Sequence, residues 1–181
     1  MKVISGNAKG RNLLFATVTK PLSQKAKSAL FSILESRATL KNANVLDLYA
    51  GSGSLGIEAL SRGAAHADFV EISKAACGKI SKNLFNTSLQ DKGSVICMSA
   101  ERFVNQQDEY KYDIIFIFPP YDLTNMRTVK NCAELLNSEG LLILEHHRKF
   151  GSFERAAGLD YQFTRTYGIT SLSFYTLKKE V

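Results

Sequence analysis

The chain has 181 residues, 45% of them hydrophobic, enough for one substantial core and a single domain. No apolar run approaches a membrane span, and the start MKVISGNAKGR lacks the apolar stretch of a secretory signal, so a cytoplasmic protein is expected. The net charge of +6 is unevenly placed: no acid precedes Glu35, yet Lys2, Lys9, Arg11, Lys20, Lys25 and Lys27 do, and the other 17 basic residues balance the 17 acids.

In chain order, residues 2–4 and 12–15 read as two short strands joined by a Gly- and Lys-containing segment, a small β arm. Pro21 precedes a helix over residues 23–36, with Ala26, Ala29, Leu30, Ile33 and Leu34 at helical spacing. Residues 1–36 thus form a basic arm and first helix, and 37–181 the remaining core. A clustered positive surface suits a polyanion, nucleic acid first; a solubilising surface is the alternative.

Beyond the arm the pattern alternates. Strands are predicted at 44–49, 67–71, 94–98, 112–118 and 140–145. Helices are predicted at 55–61, 74–85, 101–105 and 129–136. The tail YQFTRTYGITSLSFYTL has no helical period and reads as two β segments around Gly168. Strands apolar on both faces, alternating with helices, imply an α/β fold: a mostly parallel, Rossmann-like sheet of seven strands with helices on both faces and an antiparallel edge hairpin. Cys77, Cys97 and Cys132 have no metal-binding spacing and are expected to be buried reduced thiols.

Between the first core strand and its helix, DLYAGSGSLGIEAL carries Gly51, Gly53 and Gly56 in G-x-G-x-x-G spacing. Such a turn lets a ligand approach the backbone closely, with a helix N-terminus behind it. Glu71 ends the next strand, twenty residues after Gly51, where a carboxylate can accept ribose hydroxyls. The glycine spacing alone would suit NAD or NADP and an oxidoreductase. Asp47, four residues before Gly51, disfavours a diphosphate there and suits a cationic ligand such as the amino-acid end of S-adenosylmethionine.

With these motifs the chain resembles the bacterial 16S ribosomal RNA guanine-N2 methyltransferases, a class I S-adenosylmethionine-dependent family. The likeness runs through VISGNAKGRNL, SALFSIL, DLYAGSGSLGIEALSRGA, FVE, NL at 83–84, the PPY turn at 119–121 and the closing β segments. It implies that Asp47, Tyr49, Gly51 and Gly53 line the methionine side of S-adenosylmethionine. Glu71 would hold its ribose, Ile72 would lie against adenine, and Ser99 and Ala100 would meet the adenine amino group. Ser99 stands where the family often has Asp or Asn. Lys9, Arg11, Lys20, Lys25 and Lys27 would contact RNA, and the partner implied is 16S ribosomal RNA or the assembling small subunit. Lys20-Pro21-Leu22 replaces the family's Arg-Pro-Thr, which keeps charge but gives up planar, bidentate phosphate recognition. A monomer without metal is expected.

The stretch IIFIFPPYD, 114–122, ends a buried strand in a stiff turn. In the family Asp or Asn precedes Pro-Pro-Tyr or Pro-Pro-Phe. The guanine amine is a poor nucleophile, and acceptors on its N–H groups favour the geometry for attack, while an aromatic ring stacks on the base. Phe118, Pro119, Pro120 and Tyr121 are therefore the catalytic candidates, with Phe118 offering no side-chain acceptor. Asp113 lies five residues away, about 16 Å along the strand, and Asp122 serves only if the turn is reshaped. A catalytically weak or inactive RNA-binding relative is the alternative that Phe118 raises; an adenine-N6 DNA methyltransferase, which uses the same turn, is disfavoured by the end-to-end likeness. Glu145, His146 and His147 read as surface residues near the site rim.

Overall fold

A computed structural model describes residues 1–15, 22–37, 39–106, 111–120, 126–150 and 158–178. Five helices and seven strands are formed by these residues: α1 (Gln24–Ser36), β1 (Asn44–Leu48), α2 (Ser54–Ser61), β2 (His66–Glu71), α3 (Lys74–Asn86), β3 (Gly93–Cys97), α4 (Ala100–Gln106), β4 (Tyr112–Ile117), α5 (Met126–Ala133), β5 (Leu136–His147), β6 (Leu159–Tyr167) and β7 (Thr170–Leu177). The strands form one sheet in the order β3-β2-β1-β4-β5-β7-β6. β1 to β5 pair in parallel, and β7 pairs antiparallel with both β5 and β6. The predicted architecture is the one observed. Among the described residues no helix is long and apolar enough to cross a membrane.

Alternation along the central strands divides the core into two layers. Val45, Phe69, Ile114, Phe116 and Ile143 face α1, α2 and α3, while Leu46, Leu48, Ile115, Ile117 and Leu144 face α4 and α5. Ser23 and Ser73 start α1 and α3 by accepting the amides of Ala26 and Ala76, as N-cap hydroxyls do. Strand order reverses between β1 and β4, so the crevice beyond their carboxyl ends is where an open α/β sheet binds ligands.

Two boundaries differ from expectation. The arm is not a two-strand ladder but a loop closed by one antiparallel bridge, Lys2 to Asn12, with Val3 donating to Arg11 and Leu13 to Met1. β5 begins at Leu136, inside the predicted last helix, and its pairing with β4 slips between Tyr112 and Ile114. The slip lets segment 137–140 bulge while Leu141 onward restores the buried register.

The arm is held down by a buried carboxylate. Glu58 on α2 has no solvent exposure, and it accepts the amides of Ile4 at 2.8 Å and Ser5 at 3.0 Å. It also pairs with Lys27 of α1 at 3.2 Å and Arg62 at 2.9 Å. Arg62 reaches Glu35 at 2.7 Å and lies 4.9 Å over the Phe31 ring. Ser61 adds to the attachment, accepting the Ala8 amide and donating to the Ser5 carbonyl. Gly6, at φ +80°, passes so close that a Cβ would meet the Ser61 carbonyl oxygen at 1.8 Å.

This network corrects one sequence-based expectation. Lys27 does not face RNA: it is fully buried against Glu58, because the helical spacing that places Leu30 and Leu34 inward turns Lys27 inward as well. Burial pulls its ammonium below the ordinary lysine range, with Glu58 acting in the opposite direction. Removing one partner of a buried pair strands the other, so Glu58→Ala should cost about 3–5 kcal/mol in urea unfolding. The double variant Glu58→Ala/Lys27→Met should recover part of that loss. A Glu58→Ala cost below about 1 kcal/mol, the scale of an exposed pair, would show that the network contributes little.

Candidate active site

The loop joining β1 to α2 turns through three left-handed residues: Tyr49 (φ 62°), Gly51 (φ 56°) and Gly53 (φ 73°). Gly53 caps α2 and donates to the Ala50 carbonyl at 2.7 Å, while Ala50 donates to Val70 of β2 at 3.1 Å. Gly56 lies flush on β2, where an added Cβ would sit 2.3 Å from the Phe69 ring. The glycine pattern thus does two things here: it turns the backbone and brings α2 against the sheet.

Two carboxylates bracket this loop. Asp47 is 2% exposed and accepts the Gly56 amide at 3.0 Å. Burial, more than the Gly56 bond opposes it, pushes its carboxyl up to about 7, and the nearby Glu71 charge adds to the rise. Glu71 accepts the Gly51 amide on one oxygen at 2.9 Å and the Ser73 amide on the other at 2.8 Å. A carboxylate has about four lone-pair sites, so it retains capacity for ribose hydroxyls. Ile72, next to Glu71, is 71% exposed and presents an apolar surface of the kind an adenine covers.

These features fit S-adenosylmethionine better than a dinucleotide. The N-terminal turn of α2, where a pyrophosphate would bind, already gives an amide to the Asp47 carboxylate. A cationic amino group would be attracted to that carboxylate, and a phosphate repelled. Ser99 caps α4, its hydroxyl accepting the Arg102 amide at 3.3 Å, and Ala100 is buried behind it. Ser, Asp and Asn are all good N-caps, which gives a physical reason for this position to accept any of them. Tyr49 turns the loop with its backbone, while its half-buried ring packs on the α4–α5 layer and its hydroxyl bonds Thr128 of α5. Burial raises its phenol above the ordinary value.

At the end of β4, Phe118 is half-buried and packs on Phe116, edge to face at 6.0 Å. Pro119 is buried and Pro120 half-buried; Tyr121 and Asp122 lie outside the described residues. Asp113 sits at the far end of β4, accepting the amides of Asn44 and the Asn137 side chain. The sequence reading passed over Glu145 and His146 as surface residues, yet both are buried. β4 pairs Ile117 with Leu144, so one further step sets Phe118 beside Glu145. Glu145 also pairs with Leu172 on the layer where Phe118 packs. Register was the missing signal, since it cannot be read from one strand. His146 is held by Ser173 at 2.8 Å, and burial lowers its pKa.

Among the described residues no group of three or more His, Cys, Asp or Glu could hold a metal. Cys77 is buried and donates to the Glu71 carbonyl, with its thiol pushed up to about 12 by burial and by Cys97 beside it. Cys97 is exposed, contrary to expectation, because the short β3 is an edge strand. On the arm, Lys9, Arg11 and Lys25 are exposed, and Lys20 lies outside the described residues.

Comparison with known proteins agrees with this geometry. A family model described as "Conserved hypothetical protein 95" matches residues 1–176. The chain is 34% identical to the Bacillus subtilis protein YlbH over 182 residues, 97% of this chain and 98% of YlbH. It is 32% identical to Ribosomal RNA small subunit methyltransferase D of Escherichia coli K12 over 150 residues, 80% of this chain and 74% of that protein. The solved structure of Escherichia coli yhhF superposes with a TM-score of 0.88 at 27% identity, covering 99% of each chain.

A carboxyl poised near pH 7 should make cofactor binding pH-dependent. A cationic ligand selects charged Asp47, so S-adenosylmethionine affinity should rise severalfold between roughly pH 6 and pH 7.5. Calorimetry should show that dependence flattened in Asp47→Asn. For stability the sign is opposite: this group's contribution is present below its unfolded value of 3.8 and lost as pH rises through about 7. Glu71→Ala should weaken cofactor binding by about 1–3 kcal/mol through lost charge-assisted bonds. Unchanged affinity in Glu71→Ala would remove Glu71 from the ribose site.

Proposed function

We propose, from the premise that the chain belongs to the conserved hypothetical protein 95 family of S-adenosylmethionine-dependent rRNA methyltransferases, that its target is the N2 amine of a guanine in 16S ribosomal RNA. The observation that carries this reading is the Phe118–Pro119–Pro120 turn, which ends β4 beside the glycine loop that ends β1. The relative in Escherichia coli is named for the small-subunit RNA, and the exposed Lys9, Arg11 and Lys25 suit that polyanion.

When bound, S-adenosylmethionine supplies a methyl group on a positively charged sulfur. Asp47 would attract its ammonium, Glu71 would hold its ribose, and Ile72 would cover its adenine. The prolines stiffen the turn, so the Pro119 carbonyl can accept one N–H of the guanine amine in a fixed place. Tyr121 follows directly and would stack on the extruded base. Phe118 supplies no second acceptor, and Glu145 is the carboxylate one strand over, about 4.8 Å away between backbones. Its side chain is longer than that of an Asp at 118, which suits the extra reach. In this reading Glu145 takes the second N–H and helps the departing proton leave.

Labelled methyl from S-adenosylmethionine should be incorporated into small-subunit particles or naked 16S rRNA from a strain lacking this protein. Digestion to nucleosides should give N2-methylguanosine; any other methylated nucleoside would overturn the guanine assignment. Glu145→Gln should slow single-turnover transfer by about 10²-fold, the usual cost of one positioned partner, and leave cofactor affinity unchanged. Phe118→Asp should restore much of that rate in the Glu145→Gln background. Full activity in Glu145→Gln would exclude Glu145 as an acceptor.

Neutralising Lys9, Arg11, Lys20 and Lys25 together should lower the log–log salt slope of RNA binding by roughly 3, at about 0.7–0.9 per phosphate contact. Cofactor affinity should not change. An unaltered slope would leave the arm as a solubilising surface.

A further inference from the structure

Asn83 sits in α3 with no solvent exposure, yet its side chain is polar and none of the roles above uses it. Its Oδ1 accepts the Leu14 amide at 2.7 Å, and its Nδ2 donates to the Leu14 carbonyl at 3.1 Å. The same Nδ2 donates to the Ser52 carbonyl at 2.9 Å. One amide therefore pairs with both backbone groups of Leu14, as a neighbouring strand would, and gives its remaining donor to the residue between Gly51 and Gly53. A buried amide is costly unless all its groups are bonded, and here they are.

We propose that Asn83 is a positioning residue that latches the end of the basic arm to the glycine loop, so that cofactor binding and RNA binding strengthen each other through it. The chain of contacts is short. Glu71, the expected ribose ligand, holds the Gly51 amide; Ser52 follows Gly51; Asn83 joins Ser52 to Leu14. Leu14 and Phe15, the last described residues of the arm, are 44% and 37% exposed, and the chain runs on from them toward Lys20. A cofactor that pins Glu71 and the loop thereby fixes the carbonyl to which the arm is tied. Because linkage is reciprocal, RNA on the arm tightens the loop around the cofactor by the same factor.

The proposal rests on the arm holding RNA and on the loop holding S-adenosylmethionine, and its test separates those premises from the latch. The affinity of naked 16S rRNA is measured with and without saturating S-adenosylhomocysteine, and the affinity of S-adenosylhomocysteine with and without RNA. In the unaltered protein each ligand should tighten the other by about fivefold or more. Asn83→Asp keeps the acceptor for Leu14 but sets a carboxylate oxygen against two carbonyls, so the factor should fall to about one. Leu14→Pro removes the Leu14 amide without touching α3, and it should also reduce the factor while leaving S-adenosylhomocysteine affinity alone.

A merely structural Asn83 would lower thermal stability and leave the factor intact, which would overturn the latch. A factor of one in the unaltered protein would overturn it too. Failure of either ligand to bind the unaltered protein would instead remove the premise, and the latch with it.

Discussion

The Asp47 carboxylate on β1 accepts the Gly56 amide of α2 at 3.0 Å, with almost no solvent access. A buried carboxyl is tolerated only with such partners, and even so burial lifts it to about 7. The bond ties the middle of the sheet to the first turn of the following helix, and Gly56 allows that helix to lie against Phe69. The connecting chain then has few residues in which to reverse, and it does so through left-handed Tyr49, Gly51 and Gly53. Loop shape, ligand charge preference and the position of Glu71 all follow from this packing. The amide that would greet a phosphate already donates to Asp47, so a fold shared with dinucleotide enzymes becomes suited to a cation.

The arm has little core of its own. Val3, Ala8 and Leu13 bury their side chains in the main cluster, and the rest is held by hydrogen bonds to α2 and α3. Glu58 takes two arm amides together with Lys27 and Arg62, which neutralise it where water cannot. The basic residues therefore divide by role: Lys27 is drawn inward as a counter-ion, while Lys9, Arg11 and Lys25 stay in solvent. The course of the arm follows from its attachments: Ala8 is bound at Ser61, the C-terminal end of α2, and Leu14 at Asn83, which also holds Ser52 of the glycine loop.

The sheet and its edge hairpin were legible because apolar runs, glycine turns and the change from helical to alternating period are local signals. The glycine loop and the places of Asp47 on β1 and Glu71 at the end of β2 were legible because their spacing fits one strand–loop–helix–strand unit. Lys27 was misread because a lysine three residues before Leu30 looks the same in sequence whether it meets water or Glu58, and its partner is 31 residues away. The left-handed backbone of Tyr49 was not legible, because nothing local marks a non-glycine residue for positive φ. Asn83 appeared only as part of a two-residue resemblance, since its partners, Leu14 and Ser52, come from the arm and the loop. Cys97 escaped because exposure depends on β3 being an edge, which strand order decides.

The same distinction bears on the residue before the prolines. Read along one strand, Phe118 removes an acceptor, and catalysis looks impaired. Read across the sheet, the position beside it holds Glu145, on the same face and at the same carboxyl end as Asp47 and Glu71. A parallel sheet brings equivalent strand ends together at one rim, so a carboxylate can move to the neighbouring strand and still face the same crevice. Phe118 then gains a use of its own: its ring packs on Phe116 and closes the apolar layer beneath the turn. An apolar floor lowers the local dielectric, which would strengthen the hydrogen bonds that Pro119 and Glu145 are proposed to accept from the guanine amine. In that proposal the chemistry needs only a set of acceptors at the rim, and the sheet allows two strands to supply it.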